Sequence, residues 1–373
     1  RLKKIAECST KLGIELLVID DGWFGKRDSD NCSLGDWVVD KRKLPGGIEA
    51  IHDVLKKHGM TLGIWFEPEM VSPDSDLYRA HPDWCLHIDG RPRSEGRQQL
   101  MLNLSRKEVC DYLYESIAAV LKTGTISYVK WDFNRNMSEV GSTDLPVDRQ
   151  QEVSHRYYLG LYSLLERLVT DFPDVLFESC SGGGGRFDCG MLYYMPQTWT
   201  SDNSDAIERL PIQHGTSLVY PLSSMSAHVS ASPNHQTGHV TPFDTRFNVA
   251  FTGSFGYELD PTALSEEEQS LVRRTAEFYK KYSHVAANGR YFRLRSCYEG
   301  DCAAWEYISD DDSICIAEYV LTHVRIYPHY ERLKLKGLDP DARYRDDSGK
   351  DYTGSELMGY GIPVDLTYEY SSK

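Results

Sequence analysis

The feature that most restricts the fold is a recurring unit: a short apolar run that ends on polar residues, followed by an amphipathic helix. Leu16-Leu17-Val18-Ile19 ends on Asp20 and Asp21, and a helix over Ile48, Ile51 and Leu55 follows, closed by Gly59. Leu62 to Phe66 leads through a long loop to a helix that the spacing Ser105…Glu108 predicts to open with a capping box and that ends near Gly124. Tyr128 to Asp132 precedes a helix carrying Tyr157, Leu161, Leu164, Leu165 and Leu168. Runs at 175–178 and 198–201 come next, then two weaker ones at 217–224 and 249–255. The last helix starts at a capping box, Ser265…Glu268, and presents Leu271, Val272, Thr275, Ala276 and Tyr279 to a core.

Repeated strand-then-helix units imply a parallel α/β sheet, either open or closed into a (β/α)8 TIM barrel. The polar residues favour the barrel. Asp20, Asp21, Trp65, Asp132, Glu178, Cys180, Trp199 and Asp202 all fall at C-terminal strand ends, which a barrel gathers at one mouth, whereas an open sheet collects ligands only at its switch point. Seven strands can be counted, with a helix (Leu2, Ile5, Ala6, Leu12) before the first, so the first strand of the barrel is expected upstream of Arg1. From about 286 the pattern changes to short alternating runs, 290–295, 304–308 and 314–320, separated by turn signals, as in a small antiparallel β-sandwich. The expected division is a catalytic barrel over 1–285 and a C-terminal β-sandwich domain over 286–373.

The net charge of −15, without a basic tract, argues against nucleic acid and anionic membrane as partners. Nine scattered cysteines with no Cys-x-x-Cys pair read as reduced thiols and point to a cytoplasmic setting. No stretch approaches the roughly 20 apolar residues of a membrane span, and no signal peptide is visible.

The chemistry concentrates in two acidic segments, "KWDFN" at 130–134 and "WTSDNSDAIERL" at 199–210, at the ends of strands two apart in barrel order. Glycoside hydrolysis needs one carboxylate as nucleophile and a second carboxyl as acid, which such strand ends can supply from opposite sides. The competing reading is that these acids cap helices or pair with Lys130, Arg135 and Arg209. Simple alternation is taken to put Lys130 on the strand face opposite Asp132 unless the strand bends. The run Ser181-Gly-Gly-Gly-Gly-Arg186 lacks the Gly-Lys-Ser/Thr of a phosphate loop and instead suits close approach of the backbone to a ligand. The histidines at 214, 228, 235 and 239 match no metal-binding helix pattern, and Cys180 reads as a small buried thiol.

Six ordered motifs, "IDDGWFG" (19–25), "GIWFEPEMV" (63–71), "GRQQLMLNLS" (96–105), "YVKWDFNR" (128–135), "ESCSGGGGRFDCG" (178–190) and "WTSDNSDAIERL", together resemble the bacterial α-galactosidases of glycoside hydrolase family 36. The tail segment "GLDPDARYR" (337–345) resembles the family's C-terminal β domain. The resemblance implies a retaining, exo-acting α-galactosidase that acts on terminal galactose of oligosaccharides such as melibiose and raffinose, with no metal or organic cofactor. It makes Asp132 the nucleophile and Asp202 the acid/base, which implies a drier setting for Asp202 that suits a proton donor, with Asp205 the competing acid candidate. Asp20 and Asp21 would bond the distal galactose hydroxyls, and Trp65 would bound the pocket. Arg97, Lys130 and Asn134 would surround the sugar and nucleophile, Cys180 and Gly183 would line the wall, and Trp199 would flank the acid. The family's large N-terminal β domain and first barrel strand have no counterpart here, and a homo-oligomer is expected of the full-length form. A galactosyl transferase of the raffinose-synthase type, an α-N-acetylgalactosaminidase and an inactive galactoside-binding protein are the alternatives. The galactose-type "ESCSGGGG" segment speaks against the second, and the presence of both aspartates against the third.

Overall fold

The computed structural model describes residues 2–323 and 330–364, and the chain divides into two compact units, Arg1–Trp199 and Thr200–Lys373. In the first unit α1 (Leu2–Lys11) precedes β1 (Leu16–Ile19), α2 (Gly47–Lys56) and β2 (Thr61–Phe66). A two-residue ladder joins β3 (Met70–Val71) to β4 (Leu100–Met101), with the short α3 (Asp76–Ala80) between them. Then come α4 (Lys107–Leu121), β5 (Tyr128–Trp131), α5 (Val153–Asp171), β6 (Leu176–Ser179), α6 (Cys189–Tyr194) and β7 (Gln197–Trp199). Strands β1, β2, β5, β6 and β7 pair in that order, all parallel, as a curled half-barrel wall with the helices between them.

The sequence explains this wall. Leu62, Ile64 and Phe66 of β2 are fully buried, and Gly63 and Trp65 between them are buried too, the continuous burial of a strand covered on both faces. Helix α5 buries Tyr157, Leu161, Leu164, Leu165 and Leu168, a stripe at helical spacing. Gly63 lets β2 approach β5 closely, since a Cβ there would lie 3.1 Å from that of Tyr128.

The second unit holds α7 (Ala206–Thr216), β8 (Met225–Ser230), α8 (Phe243–Phe251), β9 (Ser254–Glu258) and α9 (Glu266–Asn288), with β8 and β9 parallel. Antiparallel strands β10 (Arg290–Arg295), β11 (Cys302–Ile308) and β12 (Cys315–Leu321) follow. Two small ladders complete it: β13 (Glu331–Leu333) with β16 (Ile362–Val364), and β14 (Arg343–Arg345) with β15 (Asp351–Thr353), with α10 (Gly354–Gly359) alongside. Helix α9 continues past 285 to Asn288, and the part of the expected C-terminal domain at 324–329 and from 365 lies outside the described residues.

Three local expectations are corrected. Residues 217–224 are not a strand: α7 ends, the chain turns at Pro221 into a 3-10 turn over Leu222–Ser224, and β8 starts only at Met225. The run 249–255 is mostly the end of α8, a helix so widely buried that its apolar residues show no one-sided period, and β9 begins at Ser254. Ser105 does not cap α4: its hydroxyl donates to Asn103 Oδ1 at 2.6 Å, the helix starts after Arg106, and Glu108 bonds Arg106 instead. The local turn at Asn103 outcompetes the cap. The box at Ser265 and Glu268 is present in full.

Candidate active site

Each parallel strand delivers its functional side chains where its hydrogen-bonded ladder ends and the chain turns into a loop. Asp132 follows β5 immediately, and its backbone N–H still bonds Phe66 O at 2.7 Å. Only 6% exposed, its carboxylate accepts three hydrogen bonds: Trp65 Nε1 at 3.0 Å and Asn134 Nδ2 at 2.6 Å to Oδ2, and the Phe133 N–H at 2.8 Å to Oδ1. Three donors on one buried carboxylate fix its orientation.

Asp20 and Asp21 follow β1, and both are exposed. Lys130 Nζ lies 3.0 Å from Asp20 Oδ2, and buried Arg27 grips Asp21 through Nε at 3.0 Å and Nη2 at 2.8 Å. Burial would lower the Lys130 pKa, but the Asp20 carboxylate overrides it and raises it. The expectation that Lys130 faces away from Asp132 is corrected: positions 130 and 132 are two apart and share a strand face, so no kink is needed for Lys130 to reach the β1 end.

The wall beyond β6 is a tight turn. Cys180 is 1% exposed, and its N–H bonds Trp131 O at 2.8 Å. Gly182 and Gly183 take φ of +52° and +89°, and Ser181 Oγ donates to Phe133 O at 3.0 Å, tying this turn to the loop that carries Asp132. The glycines are thus needed for the turn itself. Trp199 is buried at the end of β7, and Arg97 is exposed on the loop before β4 with φ of +51°. Arg135 does not pair with the acids, since it bonds the carbonyls of Ser94, Gln99 and Asn136.

In the second unit Asp202 is exposed on the loop entering α7, so the drier setting expected for it is not found. The buried Arg209 steadies that loop by donating to Asn203 O at 2.8 Å and Ser201 O at 2.7 Å. Asp205 has a different task. It is the N-cap of α7, accepting the N–H groups of Ile207 and Glu208, and Thr237 Oγ1 and His239 Nδ1 also close on it. With its oxygens so occupied, Asp205 serves as the cap of α7.

Residues 1–289 match the family model described as Melibiase, and residues 302–373 match that of the glycosyl hydrolase family 36 C-terminal domain. The chain belongs to glycoside hydrolase family 36. Among its relatives, α-galactosidase AgaA of Geobacillus stearothermophilus is 53% identical over 98% of this chain and 50% of its own length, and α-galactosidase Mel36A of Lactobacillus acidophilus is 48% identical over 97% and 50%. The chain therefore spans about half the length of the curated relatives it matches. The crystal structure of AgaA superposes over 100% of this chain and 52% of its own with a TM-score of 0.98 at 52% identity, and a variant of it solved in complex with raffinose gives 0.98 at 51%.

Sequence reasoning passed over two carboxylates of this family 36 chain, Glu67 and Glu69, although "GIWFEPEMV" was singled out. Their signal was the one used for the others, an acid just beyond a strand end. Glu69 is fully buried and receives Arg186 Nη2 at 2.6 Å and Nη1 at 2.9 Å, Trp131 Nε1 at 2.8 Å and Tyr157 Oη at 2.5 Å. Burial would lower the Arg186 pKa, and the Glu69 charge overrides it and raises it. Arg186→Met should destabilise the protein by about 3–5 kcal/mol, because it leaves a buried carboxylate without its counter-charge. Urea unfolding would measure this, and an unchanged midpoint would show that Trp131 and Tyr157 suffice for Glu69.

Proposed function

We propose that this chain carries the reaction centre of a retaining, exo-acting α-galactosidase that removes terminal α-galactosyl residues from oligosaccharides such as melibiose and raffinose. The observation that supports it most directly is Asp132, held at the end of β5 by three donors and facing the same strand-end region as the Asp20–Lys130 pair. A carboxylate oriented in this way suits attack on an anomeric carbon, and Trp65 and Asn134 keep it aligned as its charge is drawn into the new bond.

In this reading Asp132 displaces the aglycone to form a β-galactosyl ester while Asp202 protonates the leaving oxygen. Asp202 then draws a proton from water, which attacks from the side the aglycone left. Retention requires the two carboxyls roughly 5–5.5 Å apart, without the wider gap an inverting enzyme keeps for water. Asp20 and Asp21 accept bonds from the distal hydroxyls, and Cys180, Gly183, Arg97, Trp65 and Trp199 complete the sugar pocket. The nine thiols fit a cytoplasmic setting, and the complete protein is proposed to be a homo-oligomer. The test is hydrolysis of an aryl α-galactoside followed by NMR before the sugar mutarotates. α-Galactose appearing first supports the proposal, β-galactose appearing first rules out retention, and no hydrolysis overturns the activity.

A further inference from the structure

We propose that Glu67 is a positioning residue that holds the proton of a carboxyl pair it forms with Asp132, so that the negative charge and the Asn134 amide stay with the nucleophile. The inference rests on the assignment of Asp132 above. Residue 134 links the two acids: its backbone N–H donates to Glu67 Oε1 at 2.7 Å, while its side-chain amide donates to Asp132 Oδ2 at 2.6 Å.

Asp132 accepts from Trp65, Asn134 and the Phe133 N–H, whereas Glu67 has the Asn134 N–H, Gln99 Nε2 at 3.1 Å and a pull from the Asn134 side chain as well. Glu67 is the drier of the two, 1% exposed against 6%. Two buried carboxyls bridged by one residue resist carrying two charges, and the proton goes to the drier one. The charged groups facing Glu67 are Asp132, from the end of β5, and Arg97, whose exposed guanidinium on the loop before β4 is screened. Gln99 Oε1 is buried without a hydrogen-bond partner, and with that amide turned over it would accept the Glu67 O–H.

Burial, then the neighbouring Asp132 charge, push Glu67 up to about 8, against the pull of its Asn134 bonds and Arg97. Near neutral pH it keeps its proton and is a weak acceptor. Once ionised it competes for the Asn134 amide, and Asp132 loses a donor that aligns it.

The experiment isolates the first chemical step. In an Asp202→Ala background with an activated aryl α-galactoside, the burst of released phenol needs no acid, so its alkaline limb does not report Asp202. We expect the burst rate to fall about tenfold per pH unit above about pH 8, with little change in substrate affinity. Adding Glu67→Gln should abolish that limb, and Glu67→Ala should lower the rate at all pH values. Superimposable profiles with and without Glu67→Gln would overturn the proposal.

Two readouts need no turnover. The infrared band of a protonated carboxyl should be present near neutral pH and weaken in Glu67→Gln, and an unchanged band would overturn the proposal. A raised folded pKa means that stability present below about 4.5 is lost as the pH climbs to about 8, so the thermal midpoint of Glu67→Gln should gain on that of the wild type across this window. A constant difference would also count against the proposal. If the wild type cleaves no α-galactoside, the functional reading fails, and these two measurements still decide where the proton sits.

Discussion

Asp132→Gly should lower hydrolysis of an aryl α-galactoside by at least about 10⁴-fold, the scale on which nucleophile deletions act, and added azide should then yield β-galactosyl azide. Removing the carboxylate opens the side it occupied, bounded by Trp65 and Asn134, which had donated to it at 3.0 and 2.6 Å. A small anion entering there attacks the anomeric carbon from the β side while Asp202 still protonates the aglycone. Asp202→Ala should behave in the opposite way. An activated aryl group departs without acid, the β-galactosyl ester forms on Asp132, and turnover then stalls because no base activates water. Azide needs no base and attacks from the α side, giving α-galactosyl azide. NMR of the products therefore assigns both residues at once. An α-azide from Asp132→Gly would remove Asp132 as nucleophile. Wild-type behaviour of Asp202→Ala, with Asp205→Ala giving the α-azide, would move the acid by three residues. The structure predicts otherwise: Asp205→Ala should cost about 1–2 kcal/mol of stability as a lost N-cap.

The wall of parallel strands was legible because most of its residues are buried and its strands are written as short, mainly apolar runs, as in Leu62 to Phe66, with Lys130 the exception in Tyr128 to Trp131. The same logic failed at 249–255, where α8 is covered on nearly every side and its residues carry no helical period. At Ser105 the spacing of a capping box was present, but the box depends on which acceptor the hydroxyl finds, and Asn103 two residues earlier is nearer. Such competition between local hydrogen bonds is not written in a spacing.

The candidate residues were chosen where a carboxylate closes a strand, yet Glu67, directly after β2, carries that signal too and was passed over. Beyond that, partners were hidden. The family resemblance ranks Asp202 ahead of Asp205, but no spacing shows that Asp202 lies exposed on its loop while Asp205 is closed in by Thr237 and His239 from more than thirty positions away. Glu67 and Glu69 stand two positions apart in one motif and differ wholly in circumstance. Glu69 meets a guanidinium, an indole and a phenol, whereas Glu67 meets amides and a second carboxylate. Only the fold, which brings Arg186 to one and Asp132 to the other, separates an ion-paired acid from one set near a second carboxylate.

α-Galactosides should be preferred over α-glucosides by about 10⁴-fold in kcat/KM, the discrimination that a site built to bond a particular hydroxyl can reach. The two sugars differ at C4, where the proposed contacts of Asp20 and Asp21 lie. Neither carboxylate is free to follow a hydroxyl that has moved: Lys130 anchors Asp20 at 3.0 Å, and Arg27 holds Asp21 through two nitrogens. An inverted hydroxyl therefore leaves a fixed acceptor unfilled and meets a wall, at Cys180 and the Ser181–Gly184 turn, whose backbone is pinned to the nucleophile loop by Ser181. Asp20→Asn should lower kcat/KM for the galactoside by roughly 10²-fold or more, because a neutral amide oxygen is a weaker acceptor both for the hydroxyl and for Lys130. The same change should scarcely alter the slow glucoside reaction, which never made that bond. The ratio of the two kcat/KM values is thus expected to collapse in Asp20→Asn, measured on a matched pair of aryl glycosides. Comparable values for the two sugars in the wild type, or a ratio unmoved by Asp20→Asn, would remove Asp20 from the sugar site and leave its pairing with Lys130 as its role.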